Sequence, residues 1–158
     1  MISTLKGLLH SPGRAKRVYF YWTTRDSCSF QLFAKQMDRL YEIDTDNMLV
    51  IRHFLTSGKA ADGEDPSCVL FQNAVAEIYS KTHHDVRLGH RASKPLGIGR
   101  PDWANEIGDI MDDAWSRGIE HTGLFLCGAE AMARHLQTTC VQMSQTHKGH
   151  IYFTKETF

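Results

Sequence analysis

Gly123-Leu124-Phe125-Leu126-Cys127-Gly128-Ala129-Glu130 decides the fold. The apolar run reads as a buried strand that breaks at a Cys-Gly turn. After it, Met132, Leu136, Thr139, Cys140 and Met143 recur at three- and four-residue intervals, which places them on one face of a helix. A strand that enters a helix through glycine suits a cofactor, because glycine admits close backbone approach and the helix start offers unpaired N–H groups. Downstream, residues 150–154 read as a final strand, and Lys155-Glu156-Thr157-Phe158 follow it.

The pattern repeats on the upstream side. Residues 18–22, Val-Tyr-Phe-Tyr-Trp, form a β-branched and aromatic run typical of a buried strand. Phe30, Phe33, Ala34, Met37, Leu40 and Tyr41 stripe a helix after it. Residues 48–55 read as a second strand, and Phe71, Ala74, Val75, Ile78 and Tyr79 as a further helix. Residues 80–99 make a long irregular stretch, read as a functional or mobile loop. Trp103, Ile107, Ile110, Met111 and Ala114 stripe another helix, which Gly118 stops. Alternating strands and helices imply a mostly parallel sheet of about four strands in a three-layer α/β sandwich. Ile2, Leu5, Leu8 and Leu9 have helical spacing directly after Met1, so a strand and turn are expected upstream of them.

Composition narrows the function. Lys plus Arg and Asp plus Glu each total 18 of 158 residues, so no net field favours nucleic acid or an anionic membrane, and any anion site must be local. Apolar residues make up 42% of the chain, enough for a core at this size. Cys28, Cys68, Cys127 and Cys140 include no CxxC pair, which fits reduced thiols. No apolar run reaches the ~20 residues of a membrane helix. No Walker loop, GxSxG elbow or HExxH is present, and His83, His84 and His90 lack the ordered spacing of a zinc site.

Parallel sheets bind ligands beyond the carboxyl ends of their strands, which singles out three places. Thr23-Thr24-Arg25-Asp26 follows the first strand; there an arginine fork can hold a phosphate, or the segment is a solvated turn in which Asp26 or Ser27 caps a helix. At the Cys-Gly turn, Cys127 either faces a ligand or is a small buried hydrophobe, and Glu130 either contacts a ligand or simply suits the helix dipole. Gly99-Arg100-Pro101-Asp102-Trp103 puts Pro101 in the first helical slot with Arg100 in front, an arrangement that capping alone also explains.

These segments in this order, together with the terminal Phe153-Thr154-Lys155-Glu156-Thr157-Phe158, resemble the nicotinamide-binding half of the ferric reductase and NADPH oxidase family, which has a ferredoxin-NADP reductase-like fold. The resemblance implies that Arg25, assisted by Thr23 and Thr24, favours NADPH through its 2′-phosphate, and that Arg100, beside Pro101, contacts phosphate or ribose. It implies that Cys127, Gly128 and Glu130 position the nicotinamide against a flavin, with Cys127 and Glu130 in the catalytic role, and that Phe158 covers the flavin ring. No metal site is implied in this chain. The family usually has proline where Ala129 stands, and its glycine-rich pyrophosphate turn stands just before the helix that here begins at Ile2. Residues 1–158 are therefore expected to be an N-terminally truncated NAD(P)H-binding domain, soluble alone, from a parent whose FAD domain and haem-bearing membrane domain it would serve at the cytosolic face. That parent would pass electrons to oxygen, giving superoxide. The alternatives are a ferric-chelate reductase or soluble flavin reductase, and a non-enzymatic nucleotide-sensing or interaction module.

Overall fold

A computed structural model describes residues 2–11, 13, 15–25, 28–56, 84–85, 90–91 and 94–156. The chain divides into two compact units, Met1–Arg100 and Pro101–Phe158.

In the first unit the order is α1 (Ile2–His10), β1 (Val18–Thr24), α2 (Cys28–Leu32), α3 (Ala34–Ile43), β2 (Leu49–Leu55), β3 (His84–Asp85), β4 (His90–Arg91) and β5 (Gly97–Ile98). β1, β2 and β5 form a parallel sheet in that order, with Val18 paired to Leu49 at one end and Thr24 to Leu55 at the other. Alternation along the strands sorts the side chains. Val18, Phe20 and Trp22 turn to the face where Leu5 of α1 and Met37 and Leu40 of α3 pack on Leu49 and Ile51. Met37, Leu40 and Ile51 are fully buried, each contributing about 1.5–3 kcal/mol of apolar burial. The turn into β2 is closed by Asp44, whose Oδ1 accepts the Met48 N–H and Oδ2 the Leu49 N–H, both at 2.8 Å. At the far side of the sheet Gly97 pairs with Phe54, and a Cβ on Gly97 would stand 2.6 Å from that ring, so the fold itself requires glycine there.

Two readings of this unit change. The stripe from Phe30 to Tyr41 is two helices, because Phe33 leaves helical geometry at the start of α3, its ring held edge-on to Trp22 at 5.4 Å. Phe30 meets the same indole at 5.4 Å and also His53 at 5.1 Å. Within residues 80–99 an antiparallel pair, His84 to Arg91 and Asp85 to His90, replaces purely irregular chain, and β5 adds the third strand of the sheet. The helix expected at Phe71 to Tyr79 lies outside the described residues, as does His83.

The second unit contains α4 (Trp103–Ser116), β6 (His121–Cys127), α5 (Glu130–Thr146) and β7 (His150–Glu156). β6 and β7 are parallel, His121 opposite His150 and Cys127 opposite Glu156, with α5 as the crossover such pairs need. α4 ends as the sequence predicts: Gly118 takes φ 72°, and the N–H groups of Gly118 and Ile119 return to the carbonyls of Trp115 and Ala114, closing a Schellman motif. The core joins Ile107 and Met111 of α4 to Ala133, Leu136 and Cys140 of α5 and Leu126 of β6, with Leu124, Ile151 and Phe153 against it. Burial pushes the Cys140 thiol up from its ordinary pKa, leaving it a protonated hydrophobe. β6 is not the fully buried strand its apolar run suggests. Leu124 and Leu126 turn inward, whereas Phe125 is 75% exposed, because alternation sends it to the face opposite the core.

Candidate functional site

The carboxyl ends of β1, β2 and β5 lie at one edge of the first sheet. Pairing runs just past the strand ends: the Thr56 N–H and hydroxyl both donate to the Thr24 carbonyl, at 2.7 and 3.1 Å, and the Gly99 N–H donates to the Leu55 carbonyl at 2.9 Å. Arg25 leaves β1 at this edge and Arg100 follows β5, both exposed. With one strand between them and strand spacings near 4.8 Å, β1 and β5 run about 10 Å apart. The sheet thus brings the chain positions of the two sequence-predicted arginines to one rim, the rim where a parallel sheet takes an anionic ligand. Thr23 and Thr24 are half-buried and, as neighbours in a strand, point to opposite faces. Asp26 and Ser27, the alternative cap, lie outside the described residues.

Pro101 is buried and precedes the N-cap of α4, so it does not occupy the first helical slot. Asp102 is the cause. Its Oδ1 accepts the N–H groups of Ala104 and Asn105 at 3.1 and 3.2 Å, and its Oδ2 accepts the Asn105 amide at 2.9 Å. An aspartate satisfying two orphan donors makes the helix begin one residue after it.

The Cys-Gly turn is built differently. Ala129 is the N-cap of α5, at φ −66° and ψ 146°, and offers no side-chain acceptor. What holds the turn comes from β7: the Gly128 N–H donates to the Glu156 carbonyl at 3.3 Å, and the Lys155 ammonium donates to both oxygens of Glu130 at 3.0 Å each. Lys155 sits on the same side of β7 as Ile151 and Phe153, past the end of the core, over the start of α5. Cys127 is a free, exposed thiol and not a core residue. Gly128 is not required by the fold, since its φ is not positive and a Cβ there would meet only Leu126 and Met132 side chains, at 3.5 Å or more. Lys155 is the residue the sequence reading missed as a participant. Its signal was parity along the last strand: two residues beyond Phe153, it shares the inward side. Phe158 lies outside the described residues. Among the described residues there is no cluster of three metal-ligating side chains and no helix long and apolar enough to cross a membrane.

Residues 1–141 match the ferric reductase NAD-binding domain family. The chain belongs to that family. Its curated relatives include NADPH oxidase 3 of Homo sapiens, 31% identical over 151 residues, a match covering 94% of this chain and 24% of that protein. Respiratory burst oxidase homolog protein A of Arabidopsis thaliana is 29% identical over 145 residues, covering 92% of this chain and 15% of the relative. The putative respiratory burst oxidase homolog protein J of the same plant is 27% identical over 143 residues, covering 90% and 15%. The chain therefore spans between about a seventh and a quarter of the length of these oxidases. The family match runs across the boundary between the two units and stops within α5, ahead of β7.

Proposed function

We propose that residues 1–158 act as one NADPH-binding domain of a flavin-dependent transmembrane oxidoreductase that passes electrons from NADPH through FAD and haem to oxygen, with superoxide as product. The domain would stand at the cytosolic face and serve the flavin and haem-bearing membrane domains of the parent protein. NADPH supplies a hydride when bound; the chain's own residues bind and orient it.

In this reading Arg25 takes the adenosine 2′-phosphate through a fork of two charged hydrogen bonds, with help from Thr23 and Thr24. Arg100, beside Pro101, contacts phosphate or ribose. The observation that carries the reading is the exposure of Arg25 and Arg100 at one carboxyl rim of a parallel sheet, in a chain with no net charge to attract anions elsewhere. At the second unit's turn, Gly128 admits the nicotinamide close to the backbone, and Cys127 and Glu130 flank it. That glycine stands where the protein's own packing would accept a Cβ, which favours a ligand as its reason. Phe158 would cover the flavin ring.

Calorimetry on the 158-residue chain tests the phosphate assignment. Arg25→Ala should weaken 2′,5′-ADP by about tenfold or more, the loss of a charged hydrogen bond, and leave 5′-ADP unchanged. Equal weakening of both nucleotides would mean that Arg25 does not read the 2′-phosphate.

A further inference from the structure

Lys155 and Glu130 are 25 residues apart in sequence, yet one ammonium faces both carboxylate oxygens at 3.0 Å. The pair is 40% and 49% exposed, so it adds little to stability. Its position says more than its strength. Leu126 and Lys155 are register partners, as are Cys127 and Glu156, and the Gly128 N–H continues the ladder by one bond to Glu156. The ion pair thus spans the mouth of the turn, joining the first residue of α5 to the strand that fixes the turn's backbone. An ammonium has three N–H donors, and the carboxylate occupies two. Each carboxylate oxygen keeps lone-pair capacity after accepting one bond. The outward side of the pair therefore carries one donor next to acceptors, the complement of a primary carboxamide, whose C=O accepts and whose NH₂ donates.

We infer that Lys155 and Glu130 act as one unit that reads the carboxamide of the nicotinamide ring, Lys155 donating to its oxygen and Glu130 accepting from its nitrogen. The inference rests on the nicotinamide being seated at the Cys127-Gly128 turn. Lys155 is then a binding residue that also positions Glu130, and neutralising the carboxylate keeps the turn from repelling an anionic nucleotide. The pairing engages both oxygens of Glu130 with the ammonium. No bond is broken in this role, so no proton or electron leaves the pair.

The test uses the whole 158-residue chain, ¹⁵N-labelled, with three probes: NADPH, its 3-acetylpyridine analogue, which has a methyl in place of the carboxamide NH₂, and 2′,5′-ADP, which has no nicotinamide. Wild type should bind NADPH more tightly than the analogue, with amide shifts at Gly128 and Glu130. Lys155→Met removes the donor to the carbonyl oxygen that both ligands share, so it should weaken NADPH and the analogue alike by about tenfold and leave 2′,5′-ADP unchanged. Lys155→Arg, which restores the charge and donors, should recover most of the loss, and Glu130→Leu, which removes the acceptor of the carboxamide N–H, should abolish the preference for NADPH over the analogue; these two variants carry the test if Lys155→Met folds poorly by thermal melting. NADPH affinity that survives Lys155→Met and a preference over the analogue that survives Glu130→Leu would overturn the inference and leave the nicotinamide placement intact. A wild type whose Gly128 and Glu130 amides stay still while NADPH binds no better than 2′,5′-ADP would overturn both.

Discussion

Helices α4 and α5 begin in opposite ways. α4 is closed by its own sequence, since Asp102 satisfies the Ala104 and Asn105 N–H groups from the adjacent position. α5 has alanine at its N-cap and takes its support from β7, through Lys155 on Glu130 and the Glu156 carbonyl on Gly128. A self-capped start is finished and indifferent to the rest of the chain. A start held from a distant strand is conditional, and its first-turn N–H groups are not taken by a side-chain cap. The difference separates a structural helix N-terminus from one suited to a ligand, although both follow short turns that looked alike in sequence.

The sharpest way to break this contrast is to disturb β7 without touching α4. Gly149 takes φ 98° at the entry to β7, and a Cβ there would stand 3.0 Å from the Glu120 carbonyl oxygen. Gly149→Val should cost about 1–3 kcal/mol, the range for a side chain forced into that conformation. Amide hydrogen exchange should show lost protection at Gly128 and retained protection at Ala104 and Asn105. Equal loss at both helix starts would show that α5 is not specially dependent on β7.

The reciprocal change is smaller. Asp102→Ala should cost ~0.5–2 kcal/mol, as N-cap removals do, and should expose the Ala104 and Asn105 amides to exchange. NADPH-induced shifts at Gly128 and Glu130 should not change. A variant that alters them would tie the cap of α4 to the Cys127-Gly128 turn and undo the contrast.

The smallest expected effect concerns Gly128. With no positive φ and space for a Cβ, Gly128→Ala should leave stability equal to wild type or raise it by up to about 1 kcal/mol in denaturant melts. NADPH should nevertheless bind more weakly, because the added methyl occupies the approach to the turn. Destabilisation without any change in binding would return Gly128 to the ordinary structural glycines, such as Gly97.

Most strands and helices were legible because hydrophobic periodicity is written in a few strong residues. Val18 to Trp22 announced β1, Met132 to Met143 announced α5, and Gly118 marked the end of α4 at the residue where the chain turns left-handed. What sequence could not supply was tertiary. The break at Phe33 depends on how its ring meets Trp22, and the exposure of Phe125 depends on the core covering only the opposite face of β6. At the candidate site, Arg25, Arg100 and the Cys-Gly turn were all visible as polar or glycine positions leaving apolar runs. The placement of Arg25 and Arg100 on one rim needed the β1-β2-β5 order, since β5 is too short to show a pattern. Lys155 was invisible as a partner of Glu130 because parallel register, not sequence proximity, brings them together. Pro101 was assigned a helical slot that Asp102 had already displaced by one cap.

The central claim, that this chain holds NADPH by Arg25 at one turn and by the Cys127-Gly128 turn at another, is tested most directly by titrating the ¹⁵N-labelled wild-type chain with NADPH and with NADH. The account predicts NADPH-dependent amide shifts at Thr23, Thr24 and Arg25 and at Gly128 and Glu130, with NADH moving the second group and leaving the first nearly still. Saturable NADPH binding that leaves both turns unperturbed, or NADH shifting Arg25 as strongly as NADPH does, would contradict it.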